Sequence, residues 1–159
     1  MMEVGKTSIV KACGVNGADN KIRGNNMTKI TLNLISGRSI SQGVAMEGGK
    51  EKDLYRKACG IIEMDDSDFK KLGCWKNTNV RVTSKHGTVI VRAQETSQGP
   101  HPGVGFIPMG PWANQLVNPN TYSTGMPTFK GTPVEVEVAM GEPILLGIEL
   151  VQKACREEA

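Results

Sequence analysis

Aromatic residues are scarce in this chain. Three Phe, two Tyr and two Trp make up 4% of its 159 residues, so any core must be built mainly from Val, Ile, Leu and Met. No two of the four cysteines, Cys13, Cys59, Cys74 and Cys155, stand at C-x-x-C spacing, and the only histidines are His86 and His101. A zinc or iron–sulfur site would need distant residues to converge, and the pattern reads instead as reduced thiols of a cytosolic protein. No apolar run reaches the roughly 18 residues of a membrane span, and the N-terminus has no signal-peptide core. The cytoplasm is therefore the expected location. A net charge of +3 is too small to argue for nucleic acid. Ser, His and Asp occur, but no spacing suggests a catalytic triad, so the reading is a binding protein without catalytic machinery of its own.

A further absence is local. Gly99 to Lys130, GPHPGVGFIPMGPWANQLVNPNTYSTGMPTFK, contains no Asp or Glu and carries six of the eight prolines. A long segment with so little regular pattern is normally either disordered or functional. Val104, Phe106, Ile107, Trp112, Leu116 and Phe129 are too apolar for disorder. The segment reads as an ordered loop system, stiffened by proline and opened by glycine, that receives a large, polar, anionic ligand. His101, held between Pro100 and Pro102, either aims an imidazole at that ligand or is an ordinary loop residue.

The rest of the chain divides in two. Residues 1–27 hold Lys6, Lys11, Lys21 and Arg23 against Glu3 and Asp19, with Asn and Gly and no sustained period. They are expected to form an N-terminal arm, either touching a partner or loosely held. Residues 28–159 hold the ordered domain. Alternation predicts strands at Lys29–Ile35, Val80–Ser84, Thr88–Ala93 and Val134–Val138, with further short strands at Gly60–Met64 and Val104–Pro108. The segment holding Gly43, Gly48 and Gly49 is expected to be a loop. Lys50–Cys59 is expected to be a helix ended by Gly60 as a C′ residue, and Asp65 or Asp66 to cap a second helix that Gly73 stops. A terminal helix over Ile144–Arg156 is expected to put Leu145, Ile148, Val151 and Cys155 on one side. Short strands without βαβ alternation point to a small closed or nearly closed β-barrel. No internal repeat is evident.

Motif searches remove more than they add. Gly5-Lys6-Thr7 lacks the upstream glycine of a phosphate-binding loop, and Glu47-Gly48-Gly49-Lys50 does not directly follow a strand. Asp65, Asp66 and Asp68 are better explained by a helix N-terminus than by a cation.

Three segments, in order and suitably spaced, resemble the molybdopterin-dinucleotide-binding domain found at the C-terminus of formate dehydrogenases and related enzymes. LNLISGRSISQG, Leu32 to Gly43, is similar to its strand-then-T-G-R segment. MDDSDFKKLGCWKNTNVRVTSKHGTVIVRA, Met64 to Ala93, resembles its capped helix and hairpin. Ala113-Asn114-Gln115-Leu116 and Pro127-Thr128-Phe129-Lys130 resemble its a-N-x-L and P-e-F-K patterns. SISQGVAMEGGK, PHPGVGFIPMGPWANQLV and STGMPTFKG resemble the form of this domain in formylmethanofuran dehydrogenases more closely still. One departure is Asn77-Thr78-Asn79, where the family often has Gly-Asp before the hairpin.

The resemblance implies a mainly β fold with short helices, a double-psi β-barrel. It implies a bis(molybdopterin guanine dinucleotide) cofactor with tungsten or molybdenum, shared with a larger catalytic molybdopterin/iron–sulfur subunit that supplies the metal ligand. The complex it implies reduces CO2 to formate and formylmethanofuran, and this chain clamps the cofactor without catalysing. By the same resemblance Ser36, Gly37 and Arg38 fall on the T-G-R positions, with Arg38 pairing with pyrophosphate or holding the pterin edge, and Ser39, Gln42 and Gly43 follow in the loop that nears the pterin. Asn114 and Lys130 fall on the motif asparagine and lysine, Trp112 flanks the pterin or serves the core, and Gly110, Pro111 and His101 complete the expected contacts. Two alternatives stay open: a double-psi barrel adaptor for proteins, without cofactor, and a detached cofactor domain of a formate dehydrogenase.

Overall fold

A computed structural model describes residues 28–157; the arm expected over residues 1–27 lies outside the described residues. The elements in chain order are β1 (Lys29–Gly37), α1 (Ile40–Glu47), α2 (Asp53–Cys59), β2 (Ile61–Met64), α3 (Asp66–Leu72), β3 (Asn79–Thr83), β4 (Thr88–Glu95), β5 (Val104–Pro108), α4 (Pro111–Asn114), β6 (Lys130–Val138) and α5 (Gly147–Glu157).

The strands close into a barrel in the order β1-β5-β2-β4-β3-β6. Pairs β1/β5 and β2/β4 are parallel, and β1/β6, β2/β5, β3/β4 and β3/β6 are antiparallel. Between the consecutive strands β1 and β2 lies β5, and between β4 and β5 lies β2. Each of these connections therefore straddles a strand belonging to the other, which makes two interlocked ψ loops. The fold is a double-psi β-barrel, and closure leaves no strand edge among the described elements.

The barrel also has an internal two-fold. Exchanging β1, β2 and β3 with β4, β5 and β6 maps the strand order onto itself and preserves every parallel and antiparallel pairing. The register obeys it: Glu63 pairs with Phe106 across the axis, and Asn33–Val104 corresponds to Arg92–Ile61. No residue pattern betrays this repeat: the halves share strand order and pairing but not residues.

Period-two alternation fills the interior. Leu32, Leu34, Ile62, Met64, Val80, Val82, Val89, Val91, Ile107, Val134 and Val136 are buried. Burial at about 25 cal/mol per Å² makes this aliphatic set the main stabilising term. Gly105 belongs to it for steric reasons, since a Cβ there would sit 3.1 Å from Ile62 and 3.3 Å from Leu32.

Several local expectations need correction. The expected loop after β1 is largely helix α1, capped by Ser39, whose Oγ accepts the Gln42 N–H at 3.2 Å. Gly60 ends α2 with φ −79°, not in the left-handed region; it is glycine because a Cβ would lie 2.8 Å from the Arg56 carbonyl oxygen. Gly73 at φ 69° is the left-handed cap expected of it, and Asp65 rather than Asp66 caps α3. Gly99–Lys130 is not one continuous loop, since β5 and α4 run through it. On α5, Ile148 is 53% and Val151 49% exposed, and Cys155 is exposed too, whereas Leu150 and Gly147 are buried. Of the residues expected on one side, Ile148, Val151 and Cys155 face outward, while Leu145, just before α5, packs against the core. Gly147 packs closely on Pro111, which lies 2.9 Å from where a Gly147 Cβ would be.

Candidate functional site

Paired residues in a sheet show the same face. The register thus aligns Lys130, Ile35, Phe106, Glu63 and Gln94 in one row across β6, β1, β5, β2 and β4, on the barrel's outer wall. The internal two-fold passes between Phe106 and Glu63. A cleft of about 560 Å³ lies over this row, lined by Ile35, Phe106, Glu63 and Val104. Its rims are equivalent loops of the two halves: Arg38–Ser41 after β1, and Thr96–Gln98 after β4.

The first rim gathers hydrogen-bond donors and a cation. Arg38 has no ion pair or hydrogen bond with another described residue. Ser39 occupies the N-cap of α1 and satisfies the Gln42 N–H, which leaves the Ile40 and Ser41 N–H groups of the first turn without helical acceptors. Ser39, Ile40 and Ser41 all line the cleft. A free guanidinium beside a helix N-terminus suits phosphate oxygens. Lys130, exposed and paired with Ile35, adds a second cation at the margin.

The other side differs. Burial pushes the Glu63 carboxyl above the ordinary range, and the nearby His101 partly opposes this. Glu63 has no hydrogen bond or ion pair with a described residue. His101 Nε2 lies 3.4 Å from Thr96 Oγ1. The loop carrying His101 is held by α3: Asp65 Oδ2 accepts the His101 N–H at 3.1 Å, and buried Asp68 accepts the Gly103 N–H at 2.7 Å. Asp65 and Asp68 thus position the cleft wall, the second as a nearly inaccessible carboxylate also paired with Lys71 at 2.8 Å.

The residues expected at the site separate into three groups. Arg38, Ser39 and His101 line the cleft, with Lys130 beside it. Ser36, Gly37 and Gln42 staple β1 and α1 to the end of β5 and the residue after it. The Ser36 hydroxyl donates to the Ile107 carbonyl at 2.7 Å, the Met109 N–H to the Gly37 carbonyl at 2.8 Å, and the Gln42 side-chain amide to the Met109 carbonyl. Gly110 belongs with them, as a Cβ there would meet the Tyr55 hydroxyl at 3.2 Å. Trp112 lies wholly inside the core against Tyr55, with ring centroids 6.1 Å apart. It serves the core, and that placement is at odds with a surface contact to the pterin. Gly43, Asn114 and, less exposed, Pro111 stand outside the cleft.

Sequence reasoning missed Glu63, Ile35, Phe106 and Thr96–Gln98. The available signal was a single glutamate inside an otherwise apolar strand, IIEM. Among the described residues no group of three or more His, Cys, Asp or Glu could hold a metal ion, and no helix is long and apolar enough to cross a membrane.

Two interlocked ψ loops in one closed barrel, with a cleft over the symmetry axis, define a double-psi β-barrel. The family model described as molydopterin dinucleotide binding domain matches residues 32–133, and the chain belongs to that family. Protein FwdD of Methanocaldococcus jannaschii is 50% identical over 107 residues, covering 65% of this chain and 80% of that protein. A subunit of the molybdenum-containing formylmethanofuran dehydrogenase 1 of Methanothermobacter thermautotrophicus is 40% identical over 131 residues, 80% of this chain. The chain spans only 32% of the length of that relative. Among solved structures, a computationally designed double-psi barrel, msDPBB_sym2, is 15% identical with a TM-score of 0.45, covering 70% of this chain and 99% of that one.

Proposed function

We propose that this chain is a non-catalytic subunit of a formylmethanofuran dehydrogenase, closing over a molybdopterin dinucleotide held mainly by a catalytic molybdopterin/iron–sulfur subunit. The observation that carries this reading is the 40% identity, over 80% of the chain, to relatives named as subunits of that enzyme. The cleft supports it, because its donors suit a pyrophosphate: an unpaired arginine, two first-turn N–H groups, two serine hydroxyls and a flanking lysine.

In this reading Arg38 and the start of α1 neutralise the phosphates, while Ile35 and Phe106 give an apolar wall that excludes water. The cofactor, when bound, supplies the redox chemistry of its tungsten or molybdenum, and the complex reduces CO2 to formate and formylmethanofuran in the cytoplasm. The chain's own residues bind, orient and desolvate. Ile40, 89% exposed, and Val44, 65% exposed, stand on α1 next to the cleft and face the catalytic subunit.

The test is the assembled complex carrying Arg38→Ala. Oxidised-pterin fluorescence and metal content per complex should fall several-fold while the variant chain keeps its circular dichroism and melting temperature. Full pterin and metal content in that complex sinks the assignment.

A further inference from the structure

A cleft meant only for anions has no use for a carboxylate, yet Glu63 lines it, next to the symmetry axis and paired with Phe106. It is also undersupplied. No described residue donates a hydrogen bond to it, and His101, its electrostatic partner, is no closer than the limit of an ion pair. Burial without a donor is costly for an ionised carboxylate, and it raises this one's pKa. The Thr96 hydroxyl beside it makes its contacts elsewhere: Thr96 Oγ1 lies 3.4 Å from His101 Nε2 and accepts the Gln98 N–H at 3.3 Å. The two rims, equivalent by the internal two-fold, therefore carry opposite chemistry. Arg38 and the α1 terminus offer positive charge on one side, and Glu63 asks for donors beneath the other.

We infer that Glu63 reads the 2-amino-4-oxopyrimidine edge of the bound dinucleotide, accepting hydrogen bonds from its ring N–H and exocyclic amino group while Arg38 takes the phosphates. Two adjacent donors on a flat ring match the two oxygens of one carboxylate, and Phe106, the strand neighbour of Glu63, is placed to support the ring's face. The inference rests on the reading that this cleft receives the cofactor, and it goes further by fixing the ligand's direction. Pterin and guanine both present this edge, so the chemistry is shared and the two sources are separated by experiment.

The full-length chain is titrated with GMP, IMP, pterin, lumazine and pyrophosphate, followed by calorimetry and amide shifts of the cleft. IMP and lumazine lack the amino group of GMP and pterin. The parent chain should prefer at least one amino-bearing ligand over its partner by ~10-fold, the effect of one bidentate pair. Whichever pair shows it identifies the heterocycle. Glu63→Gln should reduce that preference below about threefold and bind pyrophosphate no more weakly, since a repelling charge has gone. Arg38→Ala should weaken pyrophosphate and leave the preference intact. Pyrophosphate binding through Arg38 without discrimination, or discrimination that survives in Glu63→Gln, overturns the inference but spares the cofactor cleft. Failure of every ligand, pyrophosphate included, overturns both. An unchanged melting temperature for Glu63→Gln separates lost recognition from lost fold.

Discussion

Asp65 shows how one side chain joins the fold to the site. Its Oδ1 accepts the Ser67 N–H at 2.9 Å and caps α3, while its Oδ2 accepts the His101 N–H at 3.1 Å and fixes the cleft wall. The Ser67 N–H, chiefly, holds its carboxyl below the ordinary aspartate value of 3.8, with smaller help from His101. A carboxyl whose folded pKa is depressed contributes stability above its unfolded pKa, and that contribution is lost as pH falls through the folded value. The advantage of the parent chain over Asp65→Ala should therefore be constant from neutral pH down to about pH 5 and should shrink as the pH drops below 3.8. Urea melts at stepped pH read this directly, and an advantage that persists undiminished at pH 2 would show that the cap does not depend on the ionised carboxylate.

At the scale of elements, local period was a sound guide where one face of an element meets the barrel. Val80 and Val82, or Val134 and Val136, announce their strands because inward residues recur every second position. It misled at α1 and α5, where apolar residues point away from the core. In ISQGVAME the exposed Ile40 and Val44, with Gly43 between them, hide a helix whose buried members are Gln42 and Ala45. In α5 the apolar residues Ile148 and Val151 are exposed, and it is Gly147 and Leu150 that are buried. The consequence is an inverted mutational pattern. Leu150→Ala, at a buried position, should cost about 2–4 kcal/mol. The double change Ile148→Ser and Val151→Ser should stay within about 1 kcal/mol. Denaturant midpoints with unchanged slopes decide it. If the double variant is the less stable one, α5 presents its stripe inward after all.

For the molecule as a whole, what the sequence made legible was the half of the site carried by a contiguous motif. Within Ser36 to Gly43, Arg38 and Ser39 mark one rim of the candidate cleft because the strand, the arginine and the helix start follow one another along the chain. Glu63 could not be read that way. It becomes a site residue only when β2 lies against β5 and when loops more than fifty residues apart close over both. The same topology governs folding. Every ladder of the barrel joins a strand of the first half to one of the second: β1 to β5 and β6, β2 to β4 and β5, β3 to β4 and β6. Neither half holds a single strand pair of its own, so neither can satisfy its backbone hydrogen bonds or bury its apolar face alone. Chains cut within the β3–β4 turn, after Lys85, should each be unfolded by circular dichroism and by amide dispersion. Mixed at equal concentration, they should regain the barrel and unfold in one cooperative transition. A half that melts cooperatively by itself would mean that the ψ loops are assembled from preformed pieces, and that the two-fold is a record of packing rather than the unit of folding.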